Sequence, residues 1–191
     1  MNSLATPLNK ILFFVTITVV DWVDIFTRPK YNHIITDSLQ YCQKNRMLDI
    51  YAWVLMSNHL HMVASLKCDM DYDSYRLEFS NVIRDFKKFT SKKIIAEIQN
   101  SIEESRTEWM MNRFWFAGNN DKKIKNYRFW QEGYYPEEIY TMEFLKQKIH
   151  YIHQNPVRRE IVASPEHYIY SSAQNYAGEK GLIEVNVVEM I

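Results

Sequence analysis

The chain has 191 residues, a hydrophobic fraction of 47% and a charged fraction of 24%, which are typical values for a folded globular protein. Its 23 Lys and Arg residues balance 23 Asp and Glu residues, which argues against a globally basic nucleic-acid-binding protein. Only four glycines are present, which excludes glycine-rich phosphate-binding loops. We expect a single domain over residues 1–191, with an insertion at about 100–126 and a C-terminal tail at about 177–191.

The cysteine spacing and the hydropathy indicate whether the chain has a zinc ribbon and whether it enters a membrane. Cys42 and Cys68 are too far apart to form a CxxC motif, so a zinc ribbon has no support. The most apolar run covers residues 11–20, whereas a membrane-spanning helix needs about 20 residues. The same run has no cleavage site of the signal-peptide type. We therefore expect a cytoplasmic protein that does not associate with membranes.

The first half of the chain is predicted to contain a strand, a helix and a β-hairpin. Aromatic and β-branched residues fill residues 11–20, which is typical of a buried strand. Apolar residues at helical spacing predict a helix over residues 31–45. Two further strand-like runs, at 49–56 and 59–66, are separated only by a Ser-Asn turn, and we expect them to pair with each other.

The next segment is predicted to contain a long helix, an insertion and a fourth strand. Residues 74–99 carry apolar residues at helical spacing. This pattern breaks over residues 100–126, which we interpret as an insertion or a helical hairpin. The aromatic run at 127–135 predicts the fourth strand, with an extension to Tyr140 left open.

A last helix completes the predicted order of elements. Thr141 is a suitable N-cap, and Pro156 disfavours helical geometry in the residue before it, so the helix should end near Asn155. The order strand, helix, hairpin, helix, strand predicts an α+β protein with a ferredoxin-like β-α-β-β-α-β core and an antiparallel sheet. The last helix and a helical insertion would be additions to that core.

Two histidines on the third strand are the first candidates for chemistry. His59 and His61 are two residues apart, so on a strand they share a face while Leu60 points into the core. Two imidazoles on a rigid strand can bind one divalent cation, provided that a third ligand is supplied. The alternative is a pair of surface histidines without a ligand.

The last helix carries a second candidate pair. Tyr151 and Asn155 are four residues apart and therefore project from nearly the same helix face. Gln154 is a rival oxygen donor on that side, whereas His153 should point away from Tyr151. The alternative for Tyr151 is a packed aromatic residue of an amphipathic helix.

The two elements together resemble a known family. The stretches AWVLMSNHLHMV (52–63), RFWQEGYYPEEI (128–139) and YIHQNPVRREIVASPEHYIYSSAQNY (151–176) are similar to single-tyrosine transposases of bacterial insertion sequences. The closest likeness is to the branch called REP-associated tyrosine transposases, and it covers roughly residues 10–176. Ser171 and Ser172 match a serine pair of the family, for which the sequence alone gives no role.

The resemblance implies an enzymatic activity and its residues. Tyr151 corresponds to the catalytic tyrosine, and His59, His61 and Asn155 to the ligands of the metal ion. Such enzymes cleave single-stranded DNA, usually near a hairpin, through a 5′-phosphotyrosine intermediate, and then transfer the strand. The resemblance implies Mg²⁺ or Mn²⁺, although two imidazoles alone would favour Zn²⁺ or Mn²⁺. It also implies DNA transposition, with either a monomer or a homodimer.

Two other functions stay open beside this one. The first is a catalytically silent DNA-hairpin-binding protein of the same fold. The second is a metal-dependent hydrolase that uses the histidines without a covalent tyrosine. The candidate metal ligands His59 and His61 and the candidate nucleophile Tyr151 are all present, which argues against a loss of catalysis.

Basic residues near these motifs are candidates for phosphate contacts. Arg84, Lys87 and Lys88 recur on the long helix, and Arg158 and Arg159 follow the helix that carries Tyr151. The alternative for the helical lysines is a solvated face. The neutral total charge is therefore compatible with a DNA-binding protein whose basic residues are unevenly distributed.

Further candidates lie in and after the insertion. Four aromatic residues could stack on unpaired bases or pack in the core, and three lysines could contact phosphates. These residues are Phe129, Trp130, Tyr134, Tyr135, Lys122, Lys123 and Lys125.

Overall fold

A computed structural model describes residues 10–119, 127–133 and 136–190. Four strands form one antiparallel sheet in the order β2-β3-β1-β4, which is the ferredoxin-like order, and the predicted α+β class is confirmed. The strands are β1 (Leu12–Thr18), β2 (Leu48–Leu55), β3 (His59–Leu66) and β4 (Glu137–Ile139). The helices are α1 (Pro29–Asn45), α2 (Tyr72–Asn100), α3 (Thr107–Asn119), α4 (Met142–Arg158) and α5 (Ala173–Tyr176).

The sheet separates two hydrophobic clusters. Alternate residues of β1, such as Phe13 and Val15, face α1 and α2 in the larger cluster. The residues between them, such as Leu12 and Phe14, face the other way and pack with α4. The helix α4 therefore adds a layer to the sheet face that the two core helices leave uncovered. In the part of the chain that the structure describes, no helix combines the length and apolarity needed to cross a membrane.

The predicted pairing of the second and third strands is confirmed, because β2 and β3 form an antiparallel hairpin. The backbone amide of Met56 donates to the carbonyl of His59 at 2.8 Å and closes the turn. β3 then pairs with β1 from His59 to Ala64, where Thr18 lies opposite His59 and Thr16 lies opposite His61. Cross-strand partners share a face of the sheet, so both threonines lie on the histidine side.

The predicted fourth strand exists, but it lies in the extension to Tyr140 that the sequence left open and not in the described part of 127–135. Only an isolated bridge between Trp130 and Val19 forms in the described part of that run, and β4 lies further along, at Glu137–Ile139. Phe129 and Trp130 are consecutive, and both are buried in the larger cluster. The indole nitrogen of Trp130 donates to Thr90 Oγ1 at 3.0 Å. Two backbone hydrogen bonds, from Val20 to the Phe129 carbonyl and from Gln131 to the Thr18 carbonyl, join the segment to the end of β1.

The predicted end of α4 is also wrong. The helix continues through Pro156 to Arg158. Pro156 removes one amide donor, but the next turn is closed because Arg159 donates to the carbonyl of Asn155 at 3.1 Å. Pro156 is buried, and Asn155 before it stays helical.

The insertion contributes to the core in its described part. Met110 and Phe114 of α3 are fully buried in the larger cluster. Upstream, the buried Glu104 accepts hydrogen bonds from Tyr31 and Arg106, and its carboxylate lies 3.1 Å from Arg28 Nε. Lys122, Lys123 and Lys125 lie outside the described residues.

The serine pair lies along the free edge of β2. The backbone amide of Ser172 donates to the carbonyl of Trp53 at 2.9 Å, and Leu55 donates to the carbonyl of Tyr170 at 2.9 Å. The Ser172 hydroxyl accepts from the amide of Trp53 at 2.9 Å and lies 2.8 Å from His153 Nε2. One buried hydroxyl therefore connects the sheet edge to α4, which gives Ser172 a structural role.

Candidate active site

The two histidines of β3 converge on the sheet face that α4 covers only in part. Their ring centroids are 4.7 Å apart and the rings are nearly perpendicular. His61 is 6% exposed, whereas His59 is partly exposed near the end of the strand. Leu60 between them is fully buried in the opposite cluster, as the strand alternation predicted.

Tyr151 reaches this pair from α4. Its hydroxyl lies 3.5 Å from His61 Nε2, and the two ring centroids are 5.3 Å apart in an edge-on arrangement. Phe14 on β1 stacks on the His61 ring at 5.5 Å and meets Tyr151 edge-on at 6.1 Å. His61 and Tyr151, which are 90 positions apart in the chain, therefore both pack against Phe14.

Asn58 determines which nitrogen of His59 is free. Asn58 Nδ2 donates to the carbonyl of Trp22 at 3.1 Å and to Asp24 Oδ1 at 2.9 Å. Both of these partners are acceptors, so the Asn58 oxygen must face His59, whose Nδ1 is 2.7 Å away. The His59 proton therefore lies on Nδ1, and the Nε2 lone pair remains available for a ligand.

The second histidine is oriented by a threonine. His61 Nδ1 lies 2.8 Å from Thr16 Oγ1 on the neighbouring strand. In the tautomer with its proton on Nδ1, His61 donates to this hydroxyl, and its Nε2 lone pair is directed at the Tyr151 hydroxyl 3.5 Å away. Hydrogen-bonding the far nitrogen of each imidazole is the arrangement that proteins use for metal-binding histidines.

Both imidazoles are held neutral. Burial, with smaller contributions from the nearby His59 and Lys148, lowers the pKa of His61 to about 3. Burial also lowers the pKa of His59, and the positive charge of Arg159 acts in the same direction. Neutral imidazole is the protonation state that a metal ligand requires, so the donor chemistry of the site fits a divalent cation.

Asn155 is placed as the sequence predicted, one turn after Tyr151. Its Nδ2 donates to the Tyr151 carbonyl at 3.0 Å, which leaves the amide oxygen as the atom able to bind a cation. His153 faces away from this site, toward Ser172. Among the described residues, no group of three or more His, Cys, Asp and Glu side chains could bind a metal ion. Gln154, which is partly exposed, stays an alternative to Asn155.

No protein-family model matches the sequence, and no curated protein sequence matches it. The structure of a REP-associated tyrosine transposase bound to a REP hairpin matches it with a TM-score of 0.61, over 95% of this chain and 88% of that chain. The chain has the fold of a REP-associated tyrosine transposase. Sequence identity is 17%, so the similarity establishes the transposase fold and not the activity.

Within this transposase fold, the predicted basic residues divide into two groups. Arg158 and Arg159 lie beside the site, because the Arg158 guanidinium is 5.8 Å from the Tyr151 ring centroid and Arg159 lowers the pKa of His59. The other three, Arg84, Lys87 and Lys88, lie on α2, which packs on the opposite face of the sheet from Tyr151.

The α2 residues have different surroundings. The Lys87 ammonium donates to the carbonyls of Gln131 and Gly133 at 3.1 and 3.4 Å, which fixes the segment after Trp130. Arg84 hydrogen-bonds to its neighbours Asn81 and Asp85, and Lys88 is exposed. Contact of these three residues with DNA stays a prediction.

The predicted aromatic stacking residues are not available for DNA where they are described. Phe129 and Trp130 are buried in the core, and Tyr134 and Tyr135 lie outside the described residues. A cation that the sequence reasoning missed is Lys148, whose Nζ lies 4.3 Å from the Phe14 ring centroid and 2.6 Å from Glu137 Oε2. Its position three residues before Tyr151, on the same helix face, was the available signal.

Proposed function

We propose that this chain cleaves single-stranded DNA and transfers the cut strand through a covalent bond to Tyr151, as in DNA transposition. The observation that carries the proposal is the convergence of His59, His61 and the Tyr151 hydroxyl, which lies 3.5 Å from His61 Nε2. Two metal-competent imidazoles beside a phenol form a suitable arrangement for attack on a phosphodiester.

The reaction follows from the chemistry of the phenol. The Tyr151 oxygen attacks the scissile phosphorus, the bond from phosphorus to the 3′ oxygen breaks, and the phenol proton ends on the departing 3′-OH. The 5′-phosphate is then esterified to Tyr151, and attack by the 3′-OH of another strand end reverses the step. The phosphodiester energy is kept in the phosphotyrosine, so no nucleotide cofactor is needed.

His59, His61 and Asn155 are proposed to bind the divalent cation, Mg²⁺ or Mn²⁺. When bound, the cation neutralises charge on the scissile phosphate. Phe14 and Thr16 hold His61 in place, and Asn58 holds His59, so the ligands are oriented before substrate arrives. Arg158 and Arg159 are proposed to contact the phosphates that flank the cut.

A DNA hairpin with an unpaired extension is the proposed substrate, and the hairpin-bound state of the transposase with the similar fold supports this choice. The test incubates the chain with labelled hairpin DNA and Mg²⁺ or Mn²⁺. We expect a protein–DNA adduct that survives denaturation, is lost in Tyr151→Phe and is retained in Tyr41→Phe. Tyr41 is an exposed tyrosine of α1, on the other side of the sheet, and serves as the matched control.

The same experiment separates the two alternatives. Cleavage that persists in Tyr151→Phe would contradict the proposal and indicate a hydrolase that uses the histidines alone. Binding of the hairpin without cleavage by the wild-type chain would indicate a binding protein that has the transposase fold without its activity.

A further inference from the structure

The loop after β1 holds two consecutive residues in an unfavourable backbone conformation. Asp21 and Trp22 have φ angles of 52° and 51°, in the left-handed backbone region that residues other than glycine rarely adopt. Trp22 is nevertheless 66% exposed, although an indole ordinarily gains most from burial. The protein thus fixes a tryptophan at its surface in a conformation that the local sequence does not favour.

Contacts with the candidate site hold this loop. The carbonyl of Trp22 accepts from Asn58 Nδ2 at 3.1 Å, and the oxygen of the same amide accepts from His59 Nδ1 at 2.7 Å. The backbone amide of Val19, at the start of the loop, donates to the carbonyl of Asn58 at 2.8 Å. One asparagine side chain therefore connects the backbone of Trp22 to a candidate metal ligand, and Trp22 lies at the margin of the site.

A second exposed tryptophan and an arginine adjoin the loop on α3. Arg113 Nη1 lies 3.8 Å from Asp21 Oδ2, and the Arg113 guanidinium is 6.0 Å from the ring centroid of Trp109. Trp109 is 46% exposed. Asp21 joins the loop to Arg113, and we call Trp22, Trp109 and Arg113 the Trp22 platform. Its connection to the candidate site is the hydrogen bond from Asn58 to the Trp22 carbonyl.

We propose that the Trp22 platform stacks the unpaired DNA bases next to the scissile phosphate. Aromatic faces combined with a guanidinium are the groups that bind single-stranded nucleic acid, because every base has a π-face and every nucleotide a phosphate. The fixed backbone of Trp22 limits the entropy lost when a base stacks on it. The proposal rests on the proposed function, since the strand that it binds is the strand that Tyr151 would cleave.

The test measures DNA binding in a Tyr151→Phe background, so that cleavage does not interfere. Fluorescence anisotropy compares a labelled hairpin that has an unpaired extension on the cleavage side with the same hairpin blunt-ended. Trp22→Ala should weaken binding of the extended hairpin by about tenfold, within the range known for loss of one stacked base, and change blunt-hairpin binding by less than about twofold. Trp22→Phe should recover most of the affinity, and Tyr41→Ala serves as the exposed-aromatic control on α1.

Several results would overturn the proposal. One is binding of the extended hairpin by Trp22→Ala within about twofold of the parent, and another is equal binding of the two hairpins by the parent. A concentration-dependent dimer that is lost in Trp22→Ala with unchanged DNA affinity would assign the surface to a second copy of the chain. If the wild type forms the adduct but Trp22→Ala binds DNA normally, the role of the Trp22 platform is wrong and the proposed cleavage stands. If Trp22→Ala binds DNA weakly but the wild type forms no adduct, the proposed cleavage is wrong and the base-stacking role of the platform stands.

Discussion

The two faces of the sheet differ in how completely they are covered. The face toward α1 and α2 is sealed by apolar side chains, and Leu60, Met62 and Val15 on it are fully buried. The opposite face packs against α4 at the start of β1 and becomes polar toward the end of β1, where Thr16 is exposed and His59 is partly exposed. Neighbouring residues of one strand therefore serve stability on one side and chemistry on the other.

The largest expected effect is on the open face. His61→Ala should remove a candidate metal ligand and lower the rate of DNA cleavage by more than about 100-fold, beyond what loss of a supporting group costs. The Mn²⁺ concentration at half-saturation, measured by electron paramagnetic resonance, should be higher in the same variant than in the wild type. An unchanged Mn²⁺ affinity would contradict the assignment of His61 as a ligand.

The adjacent residue should show the opposite behaviour. Leu60→Ala should lower the free energy of unfolding by about 2–5 kcal/mol, because it leaves a cavity in the sealed cluster. The loss is measured by denaturant titration, with Leu60→Met as the volume-conserving control. Below the unfolding transition, the Mn²⁺ affinity of Leu60→Ala should equal that of the wild type, and a large loss would mean that the two faces are not independent.

A smaller effect is expected at the hydrogen bond that orients His59. Asn58→Ala should weaken Mn²⁺ binding by about 10–100-fold, since supporting partners of metal ligands have effects of this size. Asn58→Asp keeps the acceptor for His59 Nδ1 but loses the donor to Trp22 and Asp24, so it should recover part of the affinity. Equal Mn²⁺ affinities in the wild type and Asn58→Ala would contradict the role of this amide.

The smallest effect should come from the edge of β2. Ser172→Ala removes a hydroxyl that accepts from the amide of Trp53 and contacts His153, and we expect a loss of about 1–3 kcal/mol in unfolding free energy. Cleavage activity should stay unchanged, because His153 faces away from Tyr151. Thermal unfolding and the adduct assay on the same sample measure both quantities, and lost activity in a folded variant would assign Ser172 to the site.

The parts of the fold that follow local periodicity could be predicted from the sequence. The alternation around Leu60 placed both histidines on one face, and the spacing of Tyr151 and Asn155 placed both on one side of α4. Both are properties of one regular element, and they do not depend on what the element packs against.

The errors and omissions arose where long-range packing decides the structure. The segment at Phe129 and Trp130 has strand-like composition, but two consecutive rings are buried by α2 and α3. Proline usually ends a helix, but Pro156 is buried and the following turn is closed by the bond from Arg159 to the Asn155 carbonyl. The left-handed Trp22 accepts a hydrogen bond from Asn58, 36 positions away in the chain, and no glycine marks this turn in the sequence.

The central claim is that the Tyr151 oxygen forms a bond to DNA phosphorus. The most direct measurement is to isolate the denaturation-resistant adduct formed with a labelled hairpin, digest the protein and locate the attached nucleotide by mass spectrometry. We predict that the nucleotide is attached through its 5′-phosphate to the peptide that contains Tyr151 and that the released strand carries a free 3′-OH. Attachment to any other residue, or cleavage with no protein-bound nucleotide, would contradict the account.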